Sequence, residues 1–185
     1  PHFISIVVVS GMVISVLSPN TGVVNQIIKI LGGQPIAFMS EPAWFPFVYV
    51  GSGIWQTTGW GSIIYLAAIT GIDPSMYESA VIDGASRFRQ ILHITIPAIL
   101  PTIIIMLIMR IGGVFSVGFE KIMLLYNPLT YETADVVSTY VYRRGLQGME
   151  YSFASAVGLF NSVLNLIMIV SFNAICKKLS ETSLW

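Results

Sequence analysis

The chain predicts an all-α membrane protein, and three features carry that prediction. Of its 185 residues, 55% are hydrophobic and only 10% are charged, where a soluble domain carries about 25% charge. Mean hydropathy is +0.78. The apolar residues also gather into long continuous runs, unlike the alternating segments of about ten residues that build a membrane barrel. In lipid every backbone N–H and C=O must find its partner inside the chain, so such runs are expected as helices.

Four runs qualify as spans, at approximately 3–17, 47–70, 97–117 and 153–176. The first, Phe3 to Leu17, has 15 residues and reaches only about 22 Å as a helix, short of a hydrocarbon core about 30 Å thick. The sequence opens on Pro1 rather than Met, and together these predict a partial chain with residues missing before Pro1. The second run is interrupted by Gly51, Gly53, Gln56, Thr57, Thr58 and Trp60, the third contains Arg110, and the fourth contains Asn161, Asn165 and Asn173. Such residues predict helices that face one another as well as lipid; Ala154 and Gly158 form a small-xxx-small pair that permits close helix approach. All 185 residues are expected to form a single transmembrane domain.

The connecting segments alternate in character. Residues 18–46 and 118–152 hold Trp44, Tyr126, Tyr131, Tyr140, Tyr142 and Tyr151, with Val23–Leu31 expected as a short interfacial helix. They belong on one side of the membrane, and residues 71–96 and the tail from Lys177 on the other. Basic residues do not orient the chain: Arg87, Arg89, Lys177 and Lys178 on one side balance Lys29, Lys121, Arg143 and Arg144 on the other.

The segment YESAVIDGASRFRQILHITIPAILP, Tyr77 to Pro101, is too polar for lipid and too regular for a linker. Asp73 followed by Pro74 is a helix start, with Asp as N-cap and Pro at the first helical position. That helix is expected to run to Asp83 and stop at Gly84. A second piece begins at Ser86 and carries Phe88, Ile91 and Leu92, and Pro97 opens the third span. The small residues Ser79, Ala80, Gly84 and Ala85 allow another surface to approach. The pattern fits a short helix docked in a partner's groove and equally an interfacial helix on lipid headgroups.

Within this segment, Glu78-Ser79-Ala80, three residues, Gly84, nine residues and Ile94-Thr95-Ile96-Pro97 resemble the EAA loop of ABC importer permeases, whose pattern is EAA, three residues, G, nine residues, I-x-L-P. Ser79 stands for one Ala of the EAA, the residue after Glu78, and Ile96 for Leu. The blocks PHFISIVVVSG, GIDPSMYESAVIDGA and KKLSETSLW extend the likeness along essentially the whole chain, to polysaccharide and oligosaccharide permeases of the LplB type within the maltose-permease-like group. The resemblance implies a type I importer permease bundle of the MetI kind, here about four transmembrane helices plus a cytoplasmic coupling helix in residues 73–96. It implies a bacterial cytoplasmic-membrane protein. Its expected partners are a second related permease subunit, two cytoplasmic ABC ATPase subunits and an extracytoplasmic sugar-binding protein that delivers an oligosaccharide. On that likeness Glu78, Ser79, Ala80, Asp83, Gly84, Ala85, Arg87, Phe88, Ile94 and Pro97 would couple to an ATPase. Glu78 would make a polar contact and the small residues would permit close packing. Phe88, Ile91 and Leu92 are expected to pack on this chain's own helices.

The chain is not expected to be an enzyme. It has no G-x-x-x-x-G-K-[ST] loop, so ATP and Mg are expected on partner subunits and no cofactor on this chain. One cysteine, Cys176, excludes an internal disulfide, and His2 and His93 are too few for a metal cluster. Zero net charge gives no sign of nucleic-acid binding. Arg110, the single charge inside a span, would cost about 2.5–3.5 kcal/mol at a helix centre, so it should face a cavity or a partner. Gln56, Thr57 and Trp60 share one arc of the second span, and Trp faces stack on sugar rings while amides and guanidinium donate to hydroxyls. These residues, with Val114 and Asn161, are the candidates for a sugar path. A permease for a polyol or a peptide is the alternative reading. An ion-coupled transporter would call for Asp or Glu within a span, and none of the four holds one.

Overall fold

The computed structural model describes residues 1–111, 113 and 118–180, of which 176–180 by backbone alone. All regular structure among them is helical. They fall into two compact units, one of residues 1–59 and 116–159 and the other of 60–115 and 160–185.

In the first unit, helix α1 (Ile6–Leu17) is capped by the Ser5 hydroxyl, which accepts from Val7 N, and packs against α2 (Val23–Ile30) and α7 (Phe119–Leu125). The turn between α1 and α2 is tied by Asn25, a buried amide that donates to the carbonyls of Leu17, Ser18 and Ile36 and accepts from Ile36 N at 2.7 Å. A buried amide left unpaired is expensive, so these bonds fix where α2 leaves α1. A short 3₁₀ turn, Pro42–Trp44, leads into α3 (Phe45–Thr70). The core of this unit is Phe45, Ile122, Leu125 and Ala134, with Val13, Met39, Tyr49, Tyr126 and Val136 against it. Lys121 is buried beside this core and donates to the carbonyl of Tyr49 at 2.9 Å.

The same unit holds α8 (Tyr131–Ala134) and α9 (Val137–Val141), the latter continuing through a wide π turn, Tyr142–Gln147. Here Arg143 grips Asp135 with both guanidinium arms, at 2.6 and 3.0 Å, and lies 4.4 Å from the centre of the Tyr131 ring. The bonds from Arg143 hold the Asp135 carboxyl below the ordinary carboxylate range. This pair fastens the tyrosine-rich segment into a defined shape.

The second unit contains the end of α3, then α4 (Pro74–Ile82), α5 (Arg87–Gln90), a π turn (Ile91–Thr95) and α6 (Ile96–Ile111). Residues Arg87–Ile111 form one unbroken 25-residue helix, about 37 Å long. Pro97 therefore lies inside a helix that is already under way at Arg87, and does not open it. The reason is the π turn: Ile96 N bonds back five residues to Ile91 O. A proline cannot donate and its ring crowds the carbonyl four residues earlier, and a locally widened ladder relieves that crowding. Helix α10 (Tyr151–Ser180) is shared between the units and has 30 residues, about 45 Å.

Among the described residues two helices, Arg87–Ile111 and Tyr151–Ile175, are long and apolar enough to cross a membrane, and Ile6–Leu17 is a shorter apolar helix. The most apolar stretch of Tyr151–Ile175 has no residue buried within the chain, and Leu159, Phe160 and Leu166 are exposed along it. A soluble core helix would bury these side chains, and a lipid-facing one exposes them. Helix α3 covers the expected second span from Phe45, at 26 residues.

Candidate functional site

The segment with the EAA-like spacing forms a helix, a sharp turn and the start of a long helix. The Asp73 carboxylate accepts from Ser75 N at 2.9 Å and caps α4. That bond holds the Asp73 carboxyl below its ordinary range. At the other end Ala85 N bonds to Ala80 O at 2.8 Å and Gly84 N to Val81 O at 3.0 Å. This is the Schellman pattern, and it places Gly84 at φ +74°, a backbone state that any side chain resists. Ser86 caps α5, and Gln90 Nε2 closes the turn by donating to Ala85 O at 2.9 Å.

Four of the predicted coupling residues, Glu78, Ser79, Asp83 and Gly84, are exposed, while Ala80 and Ala85 are half-buried. Arg87 and Phe88 are exposed at the start of α5, Ile94 is half-buried in the π turn, and Pro97 is exposed. Apolar side chains stand out beside them: Ile82 is 86% exposed, Phe88 70%, Val81 63% and Met76 47%. Ile91 and Leu92 are exposed as well, so the expected packing of Phe88, Ile91 and Leu92 on this chain's own helices is not found. Full burial of side chains this size contributes about 1.5–3 kcal/mol each, which makes the segment a surface awaiting cover.

The residues proposed for a sugar path divide by unit. Gln56 is buried in the first unit, where its amide donates to Ile4 O at 3.2 Å, and Thr57 Oγ1 donates to Gly53 O at 2.9 Å. Trp60, Arg110 and Asn161 belong to the second unit. There Trp60 is 46% exposed, Arg110 is exposed in the last turn of α6, and Asn161 is half-buried on α10. Arg110 has no hydrogen bond or ion pair among the described residues. Asn165 Oδ1 is buried without a donor among them, so the interhelical hydrogen bond expected of this residue is not found there. Val114 lies outside the described residues.

Residues 1–181 match the family described as binding-protein-dependent transport system inner membrane component. The chain belongs to this family. It is 44% identical over 185 residues to Protein LplB of Bacillus subtilis (strain 168), covering 100% of this chain and 58% of that protein. It is 41% identical over the same length to the polygalacturonan/rhamnogalacturonan transport system permease protein YteP of the same organism, again covering 100% and 58%. Among solved structures it superposes at TM-score 0.96 and 49% identity on a chain of a bacterial alginate ABC transporter in complex with an alginate pentasaccharide-bound periplasmic protein, covering 100% of this chain and 64% of that one. A second, of a bacterial ABC transporter involved in import of the acidic polysaccharide alginate, superposes at 0.95 and 50% identity, with 97% and 63% covered. The chain thus spans 58% of the length of the curated relatives and somewhat under two thirds of the solved chains.

The family match bears out the resemblance drawn from the loop spacing, the all-helical permease fold of the MetI kind and the membrane location. Sequence reasoning did not foresee the ties of three residues that the geometry singles out. The hydroxyls of Tyr77 and Thr95 meet at 2.8 Å, eighteen positions apart. A helix register alone offers no signal for such a contact, because the Gly84 turn decides which faces of α4 and α5 meet. Lys121, read only as a charge to count, is likewise a buried tie to Tyr49.

Proposed function

We propose that this chain is the membrane-spanning permease subunit of an ATP-driven importer that takes up oligosaccharides handed over by an extracytoplasmic binding protein. The observation that carries this reading is the exposed α4–Gly84–α5 element, which has the EAA spacing, a fixed Schellman geometry and uncovered apolar side chains. In the assembly, four spans at about 3–17, 47–70, 97–117 and 153–176 cross the membrane, and residues 73–96 face the cytoplasm. A related permease subunit pairs with this one, and two ABC ATPase subunits bind ATP and Mg and receive the two coupling helices in clefts. ATP closes the ATPase pair, the coupling helices follow, and the permease halves rock between inward- and outward-open states. ATP and the loaded binding protein both favour one of those states, which is all that is needed to shift the balance.

The relatives narrow the cargo. Polygalacturonan, rhamnogalacturonan and alginate, the polysaccharides in the names of YteP and of the solved transporters, are chains bearing uronate carboxylates, and Arg110 is a cation within a membrane helix with no partner among the described residues. An acidic oligosaccharide is the substrate class that fits both. The full-length protein, assembled with its partner subunits in proteoliposomes, is expected to accumulate uronate oligosaccharides in the presence of ATP and loaded binding protein, with ATP hydrolysis rising several-fold on addition of the loaded protein. Absence of ATP-dependent accumulation for both acidic and neutral oligosaccharides would refute the reading.

A further inference from the structure

Of the hydrogen bonds at the corner between α4 and the long helix, three bear on how it moves. Two are local: Ala85 N to Ala80 O at 2.8 Å closes α4, and Gln90 Nε2 to Ala85 O at 2.9 Å closes the turn. The third is of a different kind. It joins the body of α4, at Tyr77, to Thr95, the last residue of the π turn and the one before α6 resumes. Both side chains are half-buried, while the flanking Met76 and Glu78 are exposed. The corner itself turns on Gly84 at φ +74°, where no described residue other than its chain neighbours lies within 4 Å of the place a Cβ would occupy. A corner this open, joined only through its backbone, would absorb displacement of α4 by rotation at the glycine. A second attachment well away from the pivot converts that rotation into displacement at its far end.

We infer that the Tyr77–Thr95 hydrogen bond is the strut that carries motion of the coupling helix past the Gly84 corner into helix α6, and that Tyr77 and Thr95 are positioning residues for transport. The inference rests on the reading of α4 as the ATPase contact. The far end of the strut is well chosen physically. Residues 91–95 form a π turn with Ile96 bonded five residues back, a stretch where the helical ladder has slack to rearrange, and Pro97 and Pro101 follow, removing two more ladder donors. A push at Thr95 is therefore applied where the long helix has a widened turn and two missing donors, so it can bend there and reorient α6.

The experiment uses the full-length protein in its assembled importer in nanodiscs, with Cys176 replaced by Ser, and an environment-sensitive fluorophore at one of two exposed positions. Ser75→Cys reports on α4, and Met109→Cys, 67% exposed, reports on α6 beyond the strut. ATP with Mg²⁺ is the probe. In the unaltered background both labels respond. In Tyr77→Phe and in Thr95→Val the α4 label responds as before, while the ATP-driven equilibrium at the α6 label falls about fivefold, the effect of one neutral hydrogen bond. The double variant is no worse than either single one, and Thr95→Ser, which keeps the hydroxyl, restores the response. A purely structural role would dim both labels together. An unchanged α6 response in Tyr77→Phe and Thr95→Val, or additive losses in the double variant, would overturn the strut while leaving the ATPase contact intact. Loss of the α4 response in Tyr77→Phe alone would make Tyr77 a docking residue and also overturn it. Silence of the α4 label in the unaltered background would instead overturn the ATPase contact itself, and the strut with it.

Discussion

Replacing Gly84 with tryptophan is expected to strip the ATPase subunits from the purified assembly, reducing the amount retained more than tenfold and abolishing substrate-stimulated ATP hydrolysis. Two effects combine, and they are separable. The first is internal: at φ +74° any side chain carries a left-handed penalty of about 1 kcal/mol. The second depends on a partner. Apart from its chain neighbours, no described residue lies within 4 Å of the place a Cβ would occupy at Gly84, so the root of the new side chain clashes with nothing there. The indole would, however, hold a docked surface several ångströms away from α4. Gly84→Ala isolates the first effect, since a methyl group stands out far less than an indole, and should lower ATPase retention only a few-fold. Co-purification measured for both variants checks the pair. Equal retention in Gly84→Trp and in the unaltered protein would mean that nothing approaches this corner.

The other large effect is expected at Arg110. A guanidinium in a membrane helix, exposed and unpaired among the described residues, is costly in lipid and well suited to a carboxylate, which it can grip with two parallel bonds. Charge-assisted bonds contribute about 1.5–3 kcal/mol, so Arg110→Ala should lower kcat/KM for uptake of a uronate oligosaccharide roughly tenfold to hundredfold, without loss of the partner subunits. Arg110→Lys keeps the charge but not the fork and should fall between. Uptake assays on the acidic oligosaccharide and on its carboxyl-reduced, neutral counterpart check the assignment: the penalty should be confined to the acidic one. Equal uptake of the acidic sugar by Arg110→Ala would place the cation's partner elsewhere, on a neighbouring subunit.

How far these residues can be read without coordinates depends on the range of the forces that place them. Asp73-Pro74 and Gly84 are local signals. A cap and a left-handed stop act within one turn of backbone, and α4 begins and ends where they dictate. The same locality made the EAA spacing legible, because spacing along a short helix and turn is itself geometry. Pro97 misled for the opposite reason. Proline usually opens helices, yet here the preceding turn widens and the helix runs through from Arg87. That outcome depends on how the ladder on both sides accommodates the ring. Phe88, Ile91 and Leu92 misled because apolar character does not say what covers a side chain, and among the described residues all three stay largely exposed, at 70%, 47% and 44%.

Long-range ties were out of reach for a third reason. Asn25 binding three carbonyls, Gln56 donating to Ile4 O, and Tyr77 meeting Thr95 all need the path of the chain to be known first. Gln56 illustrates the point. Its place on one arc of α3 with Thr57 and Trp60 was visible from helical spacing, but its engagement with Ile4 was not. The amide now has a local task in the first unit, which leaves Arg110 and Trp60 as the more accessible members of the proposed sugar path.

On the proposed mechanism α4 touches an ATP-hydrolysing subunit. A photo-activatable phenylalanine analogue in place of Ile82, the most exposed apolar residue of α4 at 86%, tests it directly in the assembled importer within native membranes. Irradiation followed by mass spectrometry should yield a covalent adduct between this chain and an ABC ATPase subunit, with a yield that changes when ATP is added. Adducts with lipid alone, or none with any second protein, would contradict the account.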